Sequence, residues 1–136
     1  MDILSIIQAP IKQEFDAFKE YYSAQFGSDV PLLNSVLCDV SGSVGKMMRP
    51  MLLLLAAKGC GAVTAATNAA AASLELLHTA SLLHDDVVDE SNMRRGLPSL
   101  NALYSNRIAI LTGDYLFSLA LNNAAKTNNI EIIEQL

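Results

Sequence analysis

The chain has no tryptophan, two cysteines and only 6% aromatic residues. Cys38 and Cys60 do not form a metal-ligand spacing, and so sparse a thiol content fits a reducing compartment better than a disulfide framework. Positive charge is also in deficit. Nine Lys and Arg against fourteen Asp and Glu leave a net charge of −5, which argues against nucleic-acid binding. The N-terminus carries Asp2 and no basic stretch, so it lacks the pattern of a secretory signal. Long apolar runs are missing as well. The alanine-rich stretch from Gly61 to Leu83 is interrupted by Thr64, Thr67, Asn68, Ser73, Glu75, His78, Thr79 and Ser81, which reads as a buried helix rather than a transmembrane segment. A cytoplasmic protein is the expectation.

What is present is helical pattern. With 136 residues, 51% of them hydrophobic, the chain is long enough for one domain with a real core. Apolar residues at Ile3, Ile6, Ile7, Ile11, Phe15, Phe18 and Tyr22 predict helix from Ile3 to Phe26, kinked or restarted at Pro10. A short helix is expected from Pro31 to Cys38, a loop at Ser41–Gly45, and a helix from Met47 to Gly59 with Pro50 in its first turn. A long helix follows from about Val63 to Asp89. The next runs from a cap at Ser99 to Lys126, and a last one starts at Ile130. The final IEIIEQL ends without a cap or polar tail, as if the chain were cut there. No alternating β pattern and no repeat is visible, so the class is all-α.

The chemistry gathers at the end of the long helix, in ELLHTASLLHDDVVDESNMRRG. Asp85, Asp86 and Asp89 form Asp-Asp-x-x-Asp. At about 100° per residue Asp85 and Asp89 lie within about 40° of each other, and His78 shares their face about 10 Å back along the axis. Glu75 lies close to the same stripe. Two carboxylates about 5.5 Å apart repel by on the order of 3 kcal/mol at an effective dielectric near 20, but by only a few tenths when fully solvated. Spacing alone therefore leaves two readings open: a charged, solvated helix end, or hard oxygen ligands for Mg²⁺ beside a phosphate held by Arg94 and Arg95. A second cationic stretch, Gly45-Lys46-Met47-Met48-Arg49-Pro50, leads into a helix N-terminus, where free N–H groups favour anions; an ordinary basic first turn is the alternative. It is no P-loop, because Val40 stands where the leading glycine is needed and no Ser or Thr follows Lys46. The aspartates fail the EF-hand spacing, and His84-Asp85-Asp86 lacks the second histidine of a zinc protease. His84 points away from the acidic face and reads as structural; Met47, Met48, Met51, Tyr104, Tyr115 and Phe117 read as packing.

GKMMRP, then ELLHTASLLHDDVVDESNMRRGLPS, then LTGDYLFSLAL resemble the N-terminal half of the trans-isoprenyl diphosphate synthases, and within them the medium- and long-chain polyprenyl diphosphate synthases. The resemblance covers residues 40 to 125 well and the first 40 loosely. It implies an antiparallel helical bundle of the isoprenoid synthase type, here incomplete. It implies an Mg²⁺-dependent prenyltransferase that condenses isopentenyl diphosphate head to tail with an allylic prenyl diphosphate. Asp85 and Asp89, supported by Asp86, then correspond to the motif that holds Mg²⁺ against the allylic diphosphate, and Arg94 to an arginine on that diphosphate. Lys46, Arg49, His78 and Arg95 correspond to the isopentenyl diphosphate pocket. Ala80 and Ser81 occupy the positions where bulky residues block chain growth, so products longer than fifteen carbons are implied. Val44 and Met47 depart from the family's usual glycine and basic residue.

A larger departure is length. Family members run to about twice this chain and carry a second aspartate-rich motif, and nothing after Asp114 supplies one. Residues 1–136 are therefore expected to be the N-terminal portion of a single domain, inactive alone, with exposed apolar faces that favour self-association. The resemblance implies a homodimer for the intact protein. A terpene cyclase and a non-catalytic partner subunit are the other readings. The first has no second diphosphate to hold with Lys46 and Arg49; the missing second motif favours the second.

Overall fold

The computed structural model describes residues 2–43 and 45–136; the departure at Val44 lies outside them. Its axis is α5, Ala65–Val88. Thr64 starts this helix with a reciprocal capping box to Thr67, the two orphaned donors of the first turn each finding a side-chain oxygen. Small residues then set how closely α5 can be approached. Ala69, Ala71, Ala72, Ser73 and Ala80 are buried along it, and α7, Asn106–Lys126, lies against them with Ala109, Gly113, Ala120 and Ala124. These two helices form the most extensive packing in the molecule. Buried Ser73 donates its hydroxyl to the Ala120 carbonyl at 2.8 Å, which satisfies the group that small-residue packing brings inside.

The other elements pack against α5, against α7 and against one another. The N-terminal segment is α1, Ile3–Gln8, a 3₁₀ turn at Ala9–Ile11, and α2, Lys12–Ser23, so Pro10 does mark a restart. Ile11, Phe15, Phe18 and Tyr22 are buried at the helical spacing read from sequence. Helix α3 runs Pro31–Gly42, beyond the expected Cys38, because Val40 is needed in the core and Ser43 ties its hydroxyl back to the Val40 carbonyl. Helix α4 is Met48–Cys60, with Pro50 in its first turn as expected.

Two further corrections concern the segment after α5. A two-stranded antiparallel hairpin, β1 Met93–Arg94 with β2 Leu97–Pro98, interrupts the otherwise helical chain. Its two-residue turn has Arg95 at φ 53° and Gly96 at φ 77°, the positive pair of a tight type I′ connection. An arginine in the place usually taken by Asn or Asp hides that turn from a sequence reading. The expected Ser99–Lys126 helix is also broken. A single turn, α6 Leu100–Leu103, ends at Tyr104, and Ser105 caps α7 by accepting from the Ile108 N–H at 3.1 Å. Ser99 flanks α6 but spends its hydroxyl on the Ser91 carbonyl. Asn129 caps the last helix, α8, Ile130–Gln135.

One close approach locks α5 to α7. The His84 ring sits over Gly113, with Nε2 at 3.0 Å from the Ile110 carbonyl and 3.3 Å from Asp114, and stacks obliquely on Phe117. A Cβ on Gly113 would overlap the imidazole. Gly113→Ala is expected to destabilise by about 1–3 kcal/mol from overpacking, outweighing the ~1 kcal/mol of helix propensity it gains. In a His84→Ala background the same change should become neutral or stabilising. Urea unfolding of the four proteins checks both.

Candidate active site

Three features of α5 and its neighbours make the site. The first is acidic. Asp85 and Asp89 are exposed, one turn apart, at the C-terminal end of α5, where the helix dipole already places negative charge. No basic residue lies in the last helical turn, and among the described residues no ion pair reaches either carboxylate. Like charges on a negative helix end are tolerable in water and favourable only when a cation arrives.

The second is the link from this end to the hairpin. Asp86 is 3% exposed and takes both a 2.9 Å bond from Arg94 Nε and a 2.7 Å bond from Arg94 Nη2. This bidentate fork is the strong form of the carboxylate–guanidinium pair. The hydrogen bond donated to Asp86, then the fields of Asp86, Asp85 and Asp89, raise the pKa of Arg94 above its ordinary value. Asp86 thus faces inward onto Arg94 and does not share the exposed face of Asp85 and Asp89, which corrects the expectation of three carboxylates on one face.

The third is cationic. Lys46, Arg49, His78 and Arg95 converge on one cleft of about 510 Å³, whose wall also includes Gly45, Met47, Met48 and Glu75. They come from three separate elements: the loop and first turn of α4, the middle of α5, and the hairpin tip. Lys46, Arg49 and Arg95 are exposed, His78 is half-buried, and Glu75 is buried. Arg95 lies over Gly45, where any Cβ would overlap its guanidinium, and its Nη1 reaches the Ser43 carbonyl at 3.4 Å. Met47, directly before α4, holds φ at 56°. Two non-glycine residues in the left-handed region, Met47 and Arg95, therefore border the same cleft, the kind of stored strain that collects at functional sites. Burial, then the positive fields of Arg49, Arg95 and Arg94, hold the His78 imidazole below its ordinary pKa. It is neutral near pH 7, able to donate from one ring nitrogen and accept at the other.

The family resemblance groups Lys46, Arg49, His78 and Arg95, and the structure brings the four to one cleft. Ala80 is fully buried in the core, while Ser81 is half-buried and bonded to the His78 carbonyl at 2.7 Å. His84 is structural, as expected. Of the methionines, Met51 is core, Met47 is buried but also forms cleft wall, and Met48 is partly exposed. Two residues named in the sequence take roles not foreseen there: Gly45, as the bed for Arg95, and Glu75, as a buried acid in a cationic cleft. The signal for Glu75 was its i,i+3 spacing from His78, which puts both on one helical face.

Whether these residues suit Mg²⁺ follows from the donor set. Among the described residues no group of three His, Cys, Asp or Glu converges to cage a metal. Two exposed carboxylates one turn apart do fit Mg²⁺, which takes one or two carboxylates and completes its shell with water and phosphate oxygens.

The site is thus an acidic helix end on the same helical scaffold as a cleft lined by cations. Comparison with known proteins gives the family: the polyprenyl synthetase family model matches residues 30–136, and the chain belongs to that family. It is 40% identical over 135 residues to an all-trans-nonaprenyl-diphosphate synthase (geranyl-diphosphate specific) of Rhodobacter capsulatus, covering 98% of this chain and 42% of that protein. It is 40% identical over 110 residues to octaprenyl diphosphate synthase of Escherichia coli K12, covering 81% of this chain and 34% of that one. The crystal structure of a decaprenyl diphosphate synthase from Rhodobacter capsulatus superposes with a TM-score of 0.89 at 35% identity, over 96% of this chain and 41% of that one. A polyprenyl synthase from Caulobacter crescentus CB15, complexed with calcium and isoprenyl diphosphate, matches with a TM-score of 0.89 at 29% identity, over 96% and 40%. The fold is that of these all-helical isoprenoid synthases, and the chain spans about two fifths of the length of the relatives it matches.

The Asp86–Arg94 pair yields a test. Arg94→Ala leaves a buried carboxylate without its partner. Because Arg94 itself is 38% exposed, the expected loss is about 1–3 kcal/mol, and Arg94→Ala with Asp86→Leu should recover much of it. A double-mutant cycle by urea unfolding reads the coupling.

Proposed function

We propose that this chain carries the diphosphate-binding half of a prenyltransferase that condenses isopentenyl diphosphate head to tail with an allylic prenyl diphosphate. The observation that supports it most is the convergence of Lys46, Arg49, His78 and Arg95 on one cleft, whose wall includes the helix that presents Asp85 and Asp89 to solvent. Two anion sites of different chemistry suit two diphosphate substrates. A cyclase has only one diphosphate to hold and no use for the second site.

In this reading Lys46, Arg49, Arg95 and neutral His78 bind the diphosphate of isopentenyl diphosphate. Arg94, aimed by Asp86, contacts the allylic diphosphate, and Asp85 and Asp89 would hold Mg²⁺ on that side. Bound there, Mg²⁺ would supply charge stabilisation for the departing diphosphate. The cations of the chain stabilise the same developing charge. The allylic C–O bond breaks, the isopentenyl double bond attacks the allylic carbon, and a proton leaves to the released diphosphate. Repetition lengthens the product along an apolar path beside Ser81. The intact protein works as a cytoplasmic homodimer. The sequence contains no second Asp-Asp-x-x-Asp to face the first across the substrate, so the 136-residue chain alone is inactive.

Radiolabelled isopentenyl diphosphate, farnesyl diphosphate and Mg²⁺, incubated with this chain and with a longer reading frame containing it, test the proposal. Product from the longer chain only is expected. Product from neither removes the proposed activity, and product from the 136 residues alone removes the two-motif account. In the active chain, Asp85→Asn and Asp89→Asn are each expected to cut kcat by on the order of 10²–10³.

Product length has its own test. Ala80→Phe would overpack a filled core, so Ser81→Phe is the informative change. Shorter products by chromatography are expected; an unchanged distribution removes Ser81 from the growth path.

A further inference from the structure

Glu75 is the wall residue of the cationic cleft that the scheme above does not use. It is 6% exposed, and its Oε2 is buried without a hydrogen-bond partner. A buried carboxylate left unpaired is costly and needs a compensating cation. The charged groups whose fields act on it are Arg49 from α4 and Arg95 from the hairpin; Tyr22 of α2, which donates to or accepts from Thr79 at 3.4 Å, feels the charge of Glu75 in turn. His78, one turn on, and Lys46 complete the titratable groups of the wall. Burial pushes the Glu75 pKa up, and the two guanidinium groups pull it back towards the charged form.

Three turns further along α5 the same arrangement is seen closed. Asp86, eleven residues on and therefore on nearly the same face, is a buried carboxylate gripping the guanidinium of Arg94 with both oxygens. Arg49 and Arg95 are exposed and long, and ordering such side chains opposes binding. A guanidinium has five donors, enough to give one edge to a carboxylate behind it and the other to an anion in front.

We propose that Glu75 is a positioning residue, whose buried carboxylate takes the rear edge of Arg49 or Arg95 and aims its front edge at a diphosphate in the cleft. The inference rests on reading the cleft as a diphosphate site. It makes a prediction of opposite sign to simple Coulomb attraction. Removing a negative charge from an anion site should tighten binding; removing a positioning group should weaken it.

The test is isothermal titration of the 136-residue chain with inorganic pyrophosphate, beside thermal unfolding, for the wild type, Glu75→Gln, Glu75→Asp and Lys46→Ala. Glu75→Gln is expected to bind about tenfold more weakly with Tm unchanged or raised, since an unpaired buried charge has gone. Glu75→Asp, which keeps the charge but shortens its reach, should bind with intermediate affinity; should Glu75→Gln not fold, Glu75→Asp carries the test. Equal or tighter pyrophosphate binding in these variants, with binding lost in Lys46→Ala, overturns the positioning role and leaves the cleft intact as an anion site. No pyrophosphate binding by the wild type, or full binding by Lys46→Ala, overturns the reading of the cleft and this inference with it.

Discussion

The bidentate bond between Arg94 and buried Asp86 is the constraint on which the site depends. It fastens the hairpin to the end of α5, and the hairpin in turn fixes Arg95 at its tip. With β1 held there, the tight turn at Arg95 and Gly96 projects the second arginine back over Gly45. One ion pair therefore sets the acidic helix end and the cationic cleft in register, although their functional groups come from segments forty residues or more apart in sequence, such as Lys46 and Asp89. The pair is half in solvent on the arginine side and buried on the aspartate side, which makes it directional rather than merely adhesive.

Along α5 the electrostatics change sign within a few turns. Its C-terminal end gathers carboxylates where the dipole is negative, an arrangement that gains nothing in the bare protein and gains much when a cation bridges it to an anionic ligand. Further back, His78 is surrounded by guanidinium groups and loses its proton more readily than usual. The alanine-rich stretch that carries both ends is what lets α7 approach closely, so the reactive face is supported by a rigid rather than a bulky interior.

Much of this was legible. Apolar spacing gave α2, α4, α5 and α7, and Asp-Asp-x-x-Asp followed by two arginines marked the site. The failures have physical causes. Helix α3 outran its sequence signal because core burial of Val40 outweighs the weak propensity of Ser41 and Gly42. The break at Tyr104 was hidden because only the tertiary bond from its hydroxyl to Asp39 and the cap at Ser105 make it favourable. The hairpin was invisible because an arginine occupies a positive-φ turn position. Asp86 was grouped with its neighbours because a helical wheel shows which residues are adjacent, not which one faces inward. Propensity and periodicity report local preference; the burial of Val40, the bond from Tyr104 to Asp39 and the grip of Asp86 on Arg94 are tertiary contacts that they do not contain.

The central claim is that an anion belongs among Lys46, Arg49, His78 and Arg95. Its most direct test is the titration of the His78 imidazole, followed by NMR with and without inorganic pyrophosphate. The imidazole is held low by burial and by the positive fields of Arg49, Arg95 and Arg94. In the free protein, its midpoint should fall below the ordinary histidine value, so that the folded state loses stability as pH drops through the unfolded-state pKa near 6.5. An anion in the cleft neutralises those fields, and the account predicts that pyrophosphate moves the midpoint upward. A His78 titration that pyrophosphate leaves unmoved would contradict it.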